Sequence, residues 1–437
     1  MKTKPVLPLV VSMSLPMVVS MLVGALYNIV DSFFVAKISE DAMSALSLIF
    51  PIQNALTAIA VGLGVGVNAV ISFYLGTQNS LRADTAATKG LMLSAVHGVV
   101  LAITSVVITP VFLSFFTDNQ TIIEMGSQYA AVAFTFTFFN QIAITMEKIF
   151  QAVGKMSITM VVLGSGCIAN IILDPLMIFG IGPFPAMGIK GAALATGIGQ
   201  TLTFVMYFVI YFSKEFAFHL KPSLLREKGD IKKLYSIGIP ATLNMALPSL
   251  LISALNAILA AYSGIYIVIL GIYYKLQTFV YLPANGIIQG IRPIAGYNYG
   301  AKEHDRINKV YRTTLGLMIG IMIIGTMLCI FFPHQIMGLF SQNKTTIAEG
   351  ATALRIISIG FIISSISLTA SGMLEGLGMG MPSLKIMLLR YIVLVIPLAF
   401  VLSRFMGPSG VWHAFWITEF ITAYLAHKIY KKSFVLE

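Results

Sequence analysis

Five carboxylates interrupt long apolar runs of this chain: Asp31, Glu147, Asp174, Glu375 and Glu419. An ionised carboxylate in hydrocarbon costs roughly 2.5–3.5 kcal/mol even on the lenient insertion scale, so each needs a reason to be there. Asn170 stands one helical turn before Asp174 and shares its face. Pro175 cannot donate to the carbonyl of Ile171, which frees a backbone oxygen nearby. With Asp31 and Thr196, these residues form a set of hard oxygens suited to a small hard cation such as Na⁺, or to protons.

Whether the set can assemble depends on the elements that carry it. Hydrophobic residues make up 57% of the 437 residues and charged ones only 10%. The mean hydropathy is +0.88. Such a chain has no water-soluble surface to offer and reads as an all-α polytopic membrane protein. Spans 1 to 6 are expected near 8–36, 43–75, 88–116, 122–149, 157–181 and 188–213. Spans 7 to 12 follow near 232–262, 266–299, 312–338, 346–373, 384–404 and 409–428. Asp31 in span 1, Asp174 in span 5 and Thr196 in span 6 then fall at similar depth, in the outer half of the bilayer.

The net charge of +11 could suggest nucleic acid, but its distribution is topological. With a cytoplasmic N-terminus, 20 of the 28 basic residues fall in inside segments and four in outside ones, Lys37, Lys190, Lys344 and Arg404. That is the positive-inside rule, with both termini cytoplasmic in a cell membrane. Met1–Pro5 is short and basic with no cleavage site after it, so span 1 is expected to be retained. Cys167 and Cys329 sit in different halves and suggest neither a disulfide nor a metal site.

The second half repeats the first at an offset of 224 residues, pairing Pro16 with Pro240, Gln53 with Gln277, Gly66 with Gly290 and Gly76 with Gly300. Two same-sense copies imply two six-helix lobes about a pseudo-twofold axis along the membrane normal, with a cleft between them. The expected division is an N-lobe at 1–213, a cytoplasmic linker at 214–233 and a C-lobe at 234–437. The repeat is also an internal control. Asp31, Asn170 and Asp174 are matched by Leu255, Leu394 and Leu398, and, past a slip of five residues, Thr196 by Phe415. The fold does not require these polar groups, so their role is expected to be chemical.

The other acids read differently. Glu147, followed by Lys148, and Glu375 lie near cytoplasmic span ends, where Glu147–Lys148 is expected as a solvated interfacial pair. Glu419 lies near mid-bilayer. It is expected either to pair with Lys275 or Arg355 in a polar C-lobe cluster or to form a second proton or substrate site; Arg355 could instead snorkel outwards. Asn28 is a candidate cavity residue one turn before Asp31. The 23 Met and 29 Phe suit an adaptable cavity, although packing explains most of them. The stretch Gly62–Gly66 lacks a phosphate-loop lysine, and no catalytic set appears, so no enzyme and no cofactor is expected.

Gly296-Tyr-Asn-Tyr-Gly-Ala-Lys302 with Arg306, Asn170-Ile-Ile-Leu-Asp-Pro175, Gly191-Ala-Ala-Leu-Ala-Thr196, Pro16 and Asp31 together resemble the multidrug and toxic compound extrusion (MATE) transporters over essentially the whole chain. The resemblance implies a monomeric V-shaped pair of lobes exchanging Na⁺ or H⁺ for amphiphilic, often cationic small molecules. It makes Asp31, Asn170, Asp174 and Thr196 the coupling site and Pro16 the point where span 1 bends. One branch of that family carries acids on spans 7 and 10 of the C-lobe. Here span 7 offers only Asn244 and Asn256, which argues for coupling through the N-lobe. A flippase for a lipid or lipid-linked saccharide is the alternative; it would need bases facing the cleft, and Lys275, Arg355 and Arg390 could be read so.

Overall fold

Repeated sequence produces repeated helices. In a computed structural model describing residues 1–227 and 229–435, the last two by backbone alone, the N-terminal half contains six long helices. They are α1 (Val6–Ala36), α2 (Glu40–Gly76), α3 (Ser80–Ser114), α4 (Gln120–Ala152, with a 3₁₀ turn at Phe134–Phe136), α5 (Met156–Phe179) and α6 (Ile189–Ser213). The other half contains α7 (Ile231–Ala260), α8 (Gly264–Gly300), α9 (His304–Phe331), α10 (Lys344–Gly376), α11 (Gly380–Met406) and α12 (Pro408–Val435). Helices α1 to α11 are each long and apolar enough to cross a membrane. The bounds of α2 and α8 differ by 224 residues at both ends, as do those of α4 and α10. Lys228, Leu436 and Glu437 lie outside the described residues.

Several boundaries differ from expectation for local reasons. Helices α3 and α9 begin at Ser80 and His304, eight residues ahead of the predicted apolar runs, because their first two turns are polar. The α3 start is fixed by Asn79, whose side chain accepts from the Arg82 amide. Helix α9 stops at Phe331, short of Pro333, which opens a separate turn at Pro333–Gly338. Helix α11 carries a π segment at Leu389–Leu394.

Two compact units emerge, and they do not divide at the 214–233 linker. One comprises Met1–Val18 with Ile239–Glu437, the other Val19–Gly238. The chain therefore passes between units inside α1 and inside α7, two residues after Pro16 and two before its repeat mate Pro240. Glycines explain the exchange. The first half of α1 packs on α8, where a Cβ on Gly290 would lie 2.7 Å from the Ser14 Cα and one on Gly286 as close to the Val18 Cα. The first half of α7 packs on α2, where a Cβ on Gly66 would overlap the Leu234 carbonyl. Gly66 and Gly290 thus admit a neighbouring backbone at equivalent points of the repeat. At the end of α1, Lys2 pairs with Glu303 at 2.9 Å, and Arg306 donates to the carbonyls of Met1 and Lys4. The Lys2 ammonium holds the Glu303 carboxyl below its ordinary value.

Gly66→Val and Gly290→Val are each expected to lower stability by about 1–3 kcal/mol through overpacking. Gly24→Ala, with nothing within 4 Å of the added carbon, should leave it unchanged or slightly raised. Thermal unfolding of the purified variants checks the contrast.

Candidate functional site

Close helix packing brings the polar residues of the Val19–Gly238 unit together. A Cβ on Gly166 of α5 would lie 2.9 Å from the Gly199 carbonyl of α6, and one on Gly191 would overlap Met177 at the α5 end. Helices α5 and α6 can therefore pair closely, which sets Asn170 against Thr196. The Asn170 Nδ2 donates to Thr196 Oγ1 at 3.2 Å and faces Asp174 Oδ1 at 3.4 Å. From α1, the Asp31 carboxyl comes within hydrogen-bonding reach of that of Asp174, so that a proton on either could be shared. All four residues are buried, Asp174 completely.

The structure thus collects Asp31, Asn170, Asp174 and Thr196 into one cluster. Its unmet valences are informative. Asp31 Oδ1, Asn170 Oδ1 and Asp174 Oδ2 are buried acceptors with no hydrogen-bond donor among the described residues. A buried acceptor left bare is costly, and two touching carboxyls cannot both stay ionised without a counter-charge. A proton shared between them, or a hard cation held by the bare oxygens, removes both penalties.

Other neighbours complete the site. The hydroxyls of Tyr27 and Tyr129 lie near Thr196, and Gln53 Nε2 donates to Tyr129 at 3.0 Å. Neither tyrosine figured among the sequence candidates, although the repeat carried the signal: their mates are Leu251 and Ala353. A cavity of about 640 Å³, within the size range of drug sites, opens beside the cluster. Asp31 and Thr196 line it together with Tyr27, Asn28, Phe50 and Gln53. Asn28 is exposed there, its Nδ2 bonded to the Gly24 carbonyl at 2.9 Å. A smaller cavity of about 170 Å³ shares Tyr27, Asn140, Thr196 and Gln200 with it and also touches Asn170.

The remaining acids do not join this cluster. Glu147 and Lys148 do pair, at 2.7 Å, but are buried rather than solvated. Gly64 leaves space for the Lys148 stem, and Gln151 donates to Glu147 at 2.6 Å. Glu375 is likewise buried, held by Arg292, by Asn244 at 2.9 Å and by Ser383 at 3.2 Å. Glu419 pairs with neither Lys275 nor Arg355. Its partner is Arg390, which donates from Nε at 2.8 Å and Nη2 at 2.6 Å to the same oxygen. Tyr281 and Tyr391 flank the guanidinium. Lys275 is exposed, and exposed Arg355 reaches the Ile330 carbonyl at 3.4 Å, in keeping with snorkelling.

The family pattern MatE matches residues 16–176 and 240–401, once in each repeat. The chain belongs to the MatE family. It is a multi-pass membrane transporter of the MATE type and not an enzyme. Among curated relatives, the multidrug export protein MepA of Staphylococcus haemolyticus is 28% identical over 420 residues, 94% of this chain and 90% of that protein. Among solved structures, a multidrug resistance MATE family transporter of the MOP superfamily in an outward-facing conformation superposes with a TM-score of 0.92 at 22% identity, covering 100% of this chain and 99% of that one. A MOP superfamily transporter from Pyrococcus furiosus, described with a binding pocket of reverse polarity suggesting a different function, gives 0.91 at 22% identity over the same shares. At that identity both establish the fold: an all-α assembly of two lobes.

Arg390→Leu strands a buried Glu419 carboxylate, and a destabilisation of about 3–5 kcal/mol is expected. Glu419→Gln should cost less, and Arg390→Leu/Glu419→Leu together should recover much of the loss. Thermal unfolding of the three variants measures the ordering; equal stability in all would remove the pair as a structural element.

Proposed function

We propose that this transporter is a cation-coupled antiporter that exports amphiphilic, cationic small molecules across the plasma membrane by alternating access. Na⁺ or H⁺ drives it through Asp31 and Asp174, and it acts as a monomer with cytoplasmic termini. The observation that carries this reading is the dual position of Asp31. Its carboxyl belongs to the oxygen cluster and also lines the drug-sized cavity. A substrate ammonium and the coupling ion then need the same negative charge.

The roles follow from position. Asp174, wholly buried, holds the proton or cation with the Asn170 amide oxygen. Thr196 and Tyr27, which border both cavities, transmit a change at the cluster to the substrate wall. When an ion neutralises the carboxyls, the cavity loses the charge that attracts a cationic substrate, so ion entry and substrate release are linked. Pro16 leaves the Ser12 carbonyl without its helical donor, a weak point at which α1 can bend to reshape the cavity. MepA of S. haemolyticus, named for multidrug export, supports a drug-like substrate class. A lipid or lipid-linked saccharide flippase is disfavoured, because Arg390 is committed to Glu419.

In proteoliposomes with an imposed Na⁺ or pH gradient, Asp31→Asn and Asp174→Asn are expected to cut gradient-driven dye transport at least tenfold while remaining folded. Wild-type rates in both would defeat the coupling role. Pro16→Ala should slow transport severalfold yet leave equilibrium substrate affinity within twofold of wild type, which a binding titration beside the flux assay tests.

A further inference from the structure

A second cavity, of about 410 Å³, lies away from the cation cluster, between α3, α4, α6 and the segment that follows α6. Its walls are apolar. Phe204, Phe208 and Phe212 recur every four residues along α6 and pack ring to ring, with centroids 4.9 and 6.3 Å apart, while Leu91, Met92 and Phe138 close the other side. Phe212, 78% exposed, stands at the rim. In a membrane-spanning helix such a surface faces hydrocarbon, not water.

The roof is fixed. The linker segment is tied to the unit beneath it: the Leu220 amide donates to Tyr211 Oη at 2.8 Å, the Lys221 amide to Thr88 Oγ1 at 3.2 Å and the His219 amide to Asp84 Oδ1 at 2.8 Å. Buried Lys89 donates to the carbonyls of Glu227 and Gly229. Lys89 is therefore consumed in holding the linker, whereas Lys221, exposed, is the one charged residue among the described residues that line the cavity. Lys214 and Arg226 are exposed on the same segment.

We propose that this groove binds an anionic phospholipid of the cytoplasmic leaflet, one acyl chain lying along the α6 phenylalanines and the phosphate meeting Lys221. Charge complementarity selects the occupant: an apolar trough ends at an exposed lysine in a basic segment, the arrangement an anionic headgroup on a hydrocarbon tail satisfies from both ends. Because the roof is the linker between the sequence repeats, the bound lipid also fastens that linker. The leaflet assignment rests on the positive-inside reading; the site itself is independent of the ion coupling.

Native mass spectrometry of the full-length protein, titrated with phosphatidylglycerol or phosphatidylcholine, tests this directly. The expected result is a first phosphatidylglycerol bound at least fivefold more tightly than phosphatidylcholine. Lys221→Ala should remove that preference, Ala95→Trp should fill the groove and weaken both lipids, and Lys155→Ala, an exposed lysine elsewhere on the unit, should change nothing. Equal binding of the two lipids by the wild type, or an intact preference in Lys221→Ala, would overturn the proposal. Hydrogen exchange of the unmodified protein in nanodiscs gives a check that needs no variant. Amides of residues 214–227 should exchange more slowly in phosphatidylglycerol than in phosphatidylcholine, and identical exchange would contradict the site.

Discussion

The contact between the Asp31 and Asp174 carboxyls sets the terms for the rest of the Val19–Gly238 unit. Two acids from different helices meet in buried surroundings, where neither keeps its charge cheaply beside the other. The surroundings are built around that debt. Gly166 and Gly199 let α5 and α6 approach closely, Asn170 and Thr196 supply one donor and further oxygens, and three acceptor atoms remain bare among the described residues.

The other unit uses charge in the opposite way. Glu419 meets Arg390 and Glu375 meets Arg292, so each acid carries its own counter-charge. Replacing such a buried pair by apolar residues is often nearly neutral, whereas breaking it is costly, so the pairs act as internal fasteners, with Glu419 Oε2 left without a donor among the described residues. Between the units the exchange of half-helices at Pro16 and Pro240 gives the chain two crossing points. Each lies beside a proline, where a helix has lost a backbone hydrogen bond and bends at low cost.

Much of this was legible from residues alone, because the repeat marks positions that the fold does not require to be polar. Asp31, Asn170, Asp174 and Thr196 stood out as polar positions with apolar mates, and the same comparison would have found Tyr27 and Tyr129. Helix ends were less legible, since the polar first turns of α3 and α9 carry no hydropathy signal. Pairing of the C-lobe charges was not legible. Sequence distance gives depth in a membrane but not the direction a side chain takes around its helix. Arg390 sits in a π segment, where the wider turn rotates it out of register with an α-helical projection, toward Glu419. Burial of Glu147 and Lys148 was hidden for a similar reason: it depends on Gly64, on a different helix, leaving room for the lysine stem.

In the proposed cycle one carboxylate, Asp31, is claimed in turn by the ion and by the substrate. The most direct test of this is the ion released when a saturating cationic dye is added to purified protein at equilibrium. The release is followed as protons taken up by a weak buffer or as radioactive sodium displaced. Release of about one ion per dye bound is expected, with dye affinity that falls as Na⁺ or proton concentration rises and loss of both effects in Asp31→Asn. Dye that binds stoichiometrically with no ion released, and with one affinity across the full range of Na⁺ and pH, would contradict it.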